Sequence, residues 1–366
     1  MSERRTGPVE LLWDLVFVFA VTQVTTLLYH DLSWTGFGHG MLVLALVWWA
    51  WSAFVWAANA EQEDSRALRG VLLAGMVFIF VAGLTLPEAF GESATLFACA
   101  YAGVRLLHLG LYVHASRLGH ASWAAIAGFG TTAIAGMALL VAGSFLDEGP
   151  RALLWLMAVA IDYAGPAWLT RERLRSLQRV AVAHFAERYG LFVIICLGES
   201  IVATGLSAEG GALDTDLIVA VTLGLLATIG LWWTYFDRFA ARAEARLRDH
   251  HDPVLAAADG YSYLHLVIVA GIIVFAVGMK VTIHDLGHPL PEAGRLALCG
   301  GVAMYLAGHL AFRARMEGEV GWEKLVGVLA LLVVVVLGAE LSAIWVAAAT
   351  TAVLAAICAA ETLRPA

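Results

Sequence analysis

Residues 185–206 read FAERYGLFVIICLGESIVATGL, and after Arg188 the chain runs to Leu206 with a single charge, Glu199. A helix crossing a bilayer needs ~20 mostly apolar residues. This segment meets that length and holds an acid well inside it. Eleven more segments of the same kind flank it, at 10–29, 37–59, 69–87, 94–115, 122–144, 151–169, 216–237, 258–279, 293–312, 322–338 and 341–360. The last two are joined by little more than Gly338, Ala339 and Glu340, so a re-entrant or strongly kinked element is the alternative there. The expected fold is all-α: a polytopic membrane helix bundle of about 12 transmembrane helices.

Composition agrees. Of 366 residues, 61% are hydrophobic and 14% charged, and the mean hydropathy is +0.80. A soluble domain has ~45–50% apolar and ~25% charged residues. Coiled coils, nucleic-acid binders, disulfide scaffolds and disordered chains are thereby excluded. Cys99, Cys196, Cys299 and Cys358 lie far apart in apolar runs, which predicts packing rather than disulfides or a zinc site. Arg4 and Arg5 precede an apolar run, but Glu10, Asp14 and Gln23 interrupt it and no small-residue cleavage site follows, so an uncleaved first helix is expected.

The cations test the count independently. With both termini in the cytoplasm, that side holds Arg4, Arg5, Arg66, Arg69, Arg117, Arg171, Arg173, Arg175, Arg179, Arg238, Arg242, Arg246, Arg248, Arg313, Arg315, Lys324 and Arg364, which is 17 of 22. The opposite side holds Arg151, Lys280 and Arg295, and only Arg105 and Arg188 fall within or at the edge of a span. One miscounted helix in the middle would scramble this asymmetry. A multi-pass protein of the inner (cytoplasmic) membrane follows. The basic runs 171–179 and 238–248 read as loops that orient the chain and meet anionic head groups, so membrane lipids are expected partners and nucleic acid is not.

The two halves resemble each other. Glu10-LLWDLVFVFAVTQV aligns with Glu187-RYGLFVIICLGESI; Trp48-Trp49-Ala50-Trp51 matches Trp232-Trp233-Thr234-Tyr235; Tyr101 and Arg105 recur as Tyr305 and His309. This pattern predicts two parallel six-helix repeats, residues 1–180 and 181–366, in one integrated membrane domain.

Ionisable residues at bilayer depth are costly, so they face the bundle interior and find partners. The candidates for substrate binding or proton coupling are Asp14, Arg105, Asp162, Glu187, Arg188, Glu199, His265 and His309, with Glu10 and His108 beside them. Glu199 lies 12 residues beyond Glu187, ~18 Å deeper along a helix. The alternative reading is interhelical salt bridges, such as Arg105 with Asp162 or Asp14; it is preferred for Glu10, Asp14 and Arg188, which lie near the interface. His184 and Glu187 have a spacing found in helical metal sites, although a lone HxxE otherwise signals capping, and no metal or other cofactor is expected. Trp48, Trp49, Trp232, Trp233 and Tyr235 are aromatic-belt or packing residues, or the walls of a ligand cavity.

The Pro8-Val9-Glu10-Leu11-Leu12-Trp13-Asp14 start, the Trp-Trp-Ala-Trp stretch, the His184–Ala203 block and Leu231-Trp-Trp-Thr-Tyr-Phe-Asp237 resemble the bacterial low temperature requirement protein A (LtrA) family. The chain departs from it after span 2, where Asn59 followed by Glu61 and Gln62 stands in place of a Phe-Asp pair. The resemblance implies an integral cytoplasmic-membrane protein and delivers no activity. The leading functional reading is a secondary-transporter-like carrier of an unknown small molecule. An intramembrane enzyme acting on a lipid or isoprenoid-like substrate and a membrane-state sensor or assembly factor are the alternatives.

Overall fold

The computed structural model describes residues 6–60, 66–117, 123–166, 180–209 and 213–363. Arg4, Arg5, Glu61, Gln62, Arg171, Arg173, Arg175, Arg179 and Arg364 lie outside the described residues, as does the end of the expected 151–169 span. Among the described residues the fold is all-α. Its helices are α1 Pro8–His30, α2 Trp34–Ala60, α3 Arg66–Thr85, α4 Ala94–Arg117, α5 Trp123–Gly143, α6 Glu148–Ala164, α7 Val182–Ser207, α8 Thr215–Phe236, α9 Phe239–Asp249, α10 Pro253–Ala257, α11 His265–His284, α12 Glu292–Glu317, α13 Trp322–Leu337 and α14 Ala343–Leu363. A π-helical segment, Ala258–Leu264, links α10 to α11.

Eleven described segments are long and apolar enough to cross a membrane. The expected sixth span is α6, described over 17 residues. The doubtful last pair resolves into two helices, α13 and α14, with a 3-10 turn at Gly338–Glu340 between them. That turn is tied down by a bridge between Pro289 and Ser342, with Ala343 N–H donating to the His288 carbonyl at 3.0 Å. Arg295 donates to the carbonyls of Leu290 (2.6 Å) and Val335 (3.2 Å).

The stretch 238–248 is not a loop: it forms α9. Ala, Arg, Leu and Glu are strong helix formers, and Ala243 and Leu247, four apart, are both buried.

The chain forms two compact units. The first comprises Met1–Leu27, Gly38–Tyr189 and Leu247–Ser262; the second Leu28–Phe37, Gly190–Arg246 and Tyr263–Ala366. A helix that is hydrophobic all round is a buried one. Accordingly, 83% of the most apolar stretch of α2 is buried, against 22% for α13, whose outer residues Val326, Leu329, Val333 and Val336 are exposed.

In the second unit, α11 is buried at every position but Leu266, Val267, Lys280 and His284. Glycine explains how closely it meets α12. A methyl at Gly271 would overlap the Tyr305 backbone nitrogen, one at Gly278 that of Leu298, and one at Gly301 that of Phe275. Small residues let membrane helices approach backbone to backbone, where dispersion rather than the hydrophobic effect binds them.

Candidate polar centres within the membrane helices

The first unit holds a buried ionic cluster where α1, α2 and α7 meet. Glu10 and Asp14 are four apart, so they project from one face of α1. Both reach Arg188 of α7: its Nη2 donates to Asp14 Oδ1 at 2.6 Å, and its Nη1 lies 3.3 Å from Glu10 Oε1. Trp51 Nε1 of α2 donates to the same Asp14 oxygen at 2.8 Å. Asp14 Oδ2 is buried with no hydrogen-bond partner among the described residues. Glu10, Asp14 and Arg188 are each at most 3% exposed.

His184 extends the cluster one turn toward the start of α7. Its Nε2 lies 3.2 Å from Glu10 Oε2, and its Nδ1 lies 3.1 Å from Asn59 Nδ2. The backbone fixes the Asn59 amide, because Ala181 N–H donates to Asn59 Oδ1 (2.8 Å) and Asn59 Nδ2 donates to the Ala181 carbonyl (3.3 Å). With Nδ2 a donor, His184 Nδ1 must accept, and its Nε2–H points at Glu10. Glu187 turns elsewhere: its Oε2 accepts from Thr6 N–H at 3.3 Å. Among the described residues no group of three or more His, Cys, Asp or Glu is placed to hold a metal.

An aromatic and hydroxyl layer lies beside this cluster. Trp48, Trp51, Tyr189 and Tyr261 pack ring against ring at 4.9–5.7 Å. Within that layer Ser52 Oγ lies 2.8 Å from Tyr189 Oη and 3.1 Å from Ser262 Oγ. The indoles of Trp48 and Trp56 donate to the Ser262 carbonyl and hydroxyl, at 2.6 and 2.8 Å. Trp49 faces another way and stacks on Tyr163 at 4.0 Å.

The second ionic element of this unit joins α4 to α6. Arg105 Nη2 donates to both carboxylate oxygens of Asp162, at 2.8 and 2.9 Å, with Arg105 fully buried. The Phe129 ring lies 5.8 Å from the guanidinium carbon. His108, one turn along α4, sits among Phe54, Tyr112 and Phe129.

The second unit has a polar centre of different chemistry. Tyr235 Oη of α8 lies 2.9 Å from His265 Nε2 of α11. Tyr305 Oη of α12 donates to the Leu231 carbonyl at 2.6 Å and lies 3.2 Å from Thr234 Oγ1. His309 Nδ1 donates to the Tyr305 carbonyl at 3.0 Å, and its ring meets Phe239 at 4.2 Å. Trp232 and Trp233 do not join this group; they are 42% and 38% exposed on α8. Glu199 is buried in the same unit, with Cys196 and Lys280 in its electrostatic reach.

Thus Asp14, Arg188 and His184 converge, Arg105 meets Asp162, and Tyr235 meets His265 near His309. Sequence reasoning missed Ser52 and Ser262 altogether and gave Asn59 no partner. A lone Ser or Asn in an aromatic, apolar run was the only signal, and it names no partner.

No solved structure matches this chain. It is similar to the uncharacterized protein RA0937 of Rhizobium meliloti (strain 1021), 31% identical over 311 residues that cover 82% of this chain and 75% of that protein. The family model of the bacterial low temperature requirement A protein (LtrA) matches residues 5–359. With α1 to α13 and all but the last four residues of α14 inside that match, the chain belongs to the LtrA family.

Proposed function

We propose that this protein is a secondary carrier of the inner membrane, with both termini in the cytoplasm and two parallel six-helix repeats, in which Asp14 and its neighbours hold a coupling proton. The observation that carries this reading is the Asp14 carboxyl, whose Oδ1 meets Arg188 and Trp51 while Oδ2 is buried with no hydrogen-bond partner among the described residues. Two carboxylates, Glu10 and Asp14, share one guanidinium, Arg188, in a buried site. His184, held by Asn59 with Nδ1 as acceptor, turns Nε2 toward Glu10. An uncompensated carboxylate in a buried site costs several kcal/mol. A proton on Asp14 lowers that cost, and the unpartnered Oδ2 is the atom best able to take it. Arg105 would serve as counter-ion or anchor for an anionic group, with Asp162 and Glu199 as further proton-holding carboxylates.

The test is purified protein in proteoliposomes, with currents recorded for a metabolite panel with and without an imposed proton gradient. At least one compound should give gradient-dependent current that Asp14→Asn abolishes. Wild-type protein that moves no compound, or proton coupling undiminished in Asp14→Asn, would overturn the reading. Uptake unchanged in Glu199→Gln would remove Glu199 from the coupling role.

A further inference from the structure

The outer face of the α3–α4 pair carries a groove of about 650 Å³ that the carrier reading does not use. Its walls are apolar, with Leu106 and Phe78 exposed. Its floor is open at Gly70 and Gly110, where an added methyl would meet nothing within 4 Å. At Gly103 the Phe78 ring closes it, since a methyl there would come within 2.6 Å of that ring. Arg66, which starts α3, and His114, near the end of α4, line the opposite end. Arg69 and Arg117 lie at that same end of the two helices. Arg66 and His114 are both exposed at the groove mouth, where the guanidinium supplies a positive charge and the imidazole a hydrogen-bonding ring.

The dimensions identify the occupant. From Gly103 to His114 is eleven residues of helix, ~16 Å at 1.5 Å per residue. One leaflet is half of a ~30 Å hydrocarbon core. An apolar channel one leaflet long, open to the bilayer and ending in cations, has the shape and charge of an acyl chain below an anionic head group. From this we infer that the α3–α4 groove binds one anionic phospholipid, its phosphate at Arg66 and His114 and one chain lying over Gly110 toward Phe78.

Each basic residue near an anionic head group is worth about fivefold in preference. The experiment is native mass spectrometry of the full-length protein in mixed phosphatidylglycerol and phosphatidylethanolamine nanodiscs. Wild-type protein should retain phosphatidylglycerol over phosphatidylethanolamine by roughly fivefold or more. Arg66→Gln with His114→Gln should bring that ratio close to one. Gly110→Leu should lose the retained lipid with unchanged helix content, because the new side chain enters the groove and not the protein. No preference in wild type, equal retention in the wild type and the glutamine variant, or displacement of the lipid by inorganic phosphate would each overturn the inference. If Gly110→Leu does not fold, the glutamine pair decides the matter alone.

Discussion

Replacing Arg105 with Met tests how the membrane helices of the first unit are held. Arg105 is fully buried and Asp162 is 6% exposed, and Nη2 serves both carboxylate oxygens. Taking away the guanidinium leaves a buried carboxylate without its counter-charge, a loss of about 3–5 kcal/mol. Asp162→Asn removes the charge from the other side and strands Arg105, with a cost of the same order. Replacing both partners by apolar residues of similar volume, Arg105→Met with Asp162→Leu, strands nothing and is neutral to stabilising. At roughly 2–4 °C per kcal/mol for a unit of 150–250 residues, each single variant should melt about 6–20 °C below wild type in detergent. The double variant should return to within a few degrees of wild type, giving a coupling energy of several kcal/mol. Single variants that melt like wild type, or a double variant as unstable as the two losses added together, would refute the reasoning. If the proposed carrier activity is measured in the wild type, flux in the double variant then separates roles: a stable protein without transport makes the pair functional, and a stable protein with transport makes it structural.

Asn59→Leu should cost about 1–3 kcal/mol by stranding Ala181 N–H and the His184 ring, read as faster hydrogen exchange at the start of α7. Gly301→Ala should cost about 1–3 kcal/mol by forcing α11 and α12 apart, whereas Gly300→Ala, with open space at its Cβ, should melt like wild type. Tyr305→Phe should lower thermal stability by about 1–3 kcal/mol, since the Leu231 carbonyl loses a 2.6 Å bond inside the unit.

The fold was legible because a bilayer permits few solutions. Backbone groups in hydrocarbon must be satisfied within the segment, so length and apolarity suffice to mark α1 to α5, α7, α8 and α11 to α14. The Arg105–Asp162 bridge was half legible: an ion in a span needs a partner, but the sequence offered Asp14 as well as Asp162 and only packing selects between them. The face a side chain presents was much less legible. Trp48 and Trp232 stand in matching motifs, yet the first is 1% exposed and the second 42%. Both environments are apolar, so the sequence carries little contrast between core and lipid. Neutral hydrogen-bond partners such as Asn59, Ser52 and Ser262 were illegible because many positions could satisfy them, and only tertiary packing selects one.

The two polar centres differ in the groups that meet. Tyr235, His265, Tyr305, Thr234 and His309 exchange bonds among hydroxyls, imidazoles and carbonyls. The α1–α7 cluster instead sets two carboxylates against one guanidinium and leaves Asp14 Oδ2 buried with no hydrogen-bond partner among the described residues. A buried carboxylate oxygen without a partner keeps its desolvation cost, and a proton placed on it lowers that cost. That atom, rather than the number of ionisable residues, is why we propose the α1–α7 cluster as the proton-holding site.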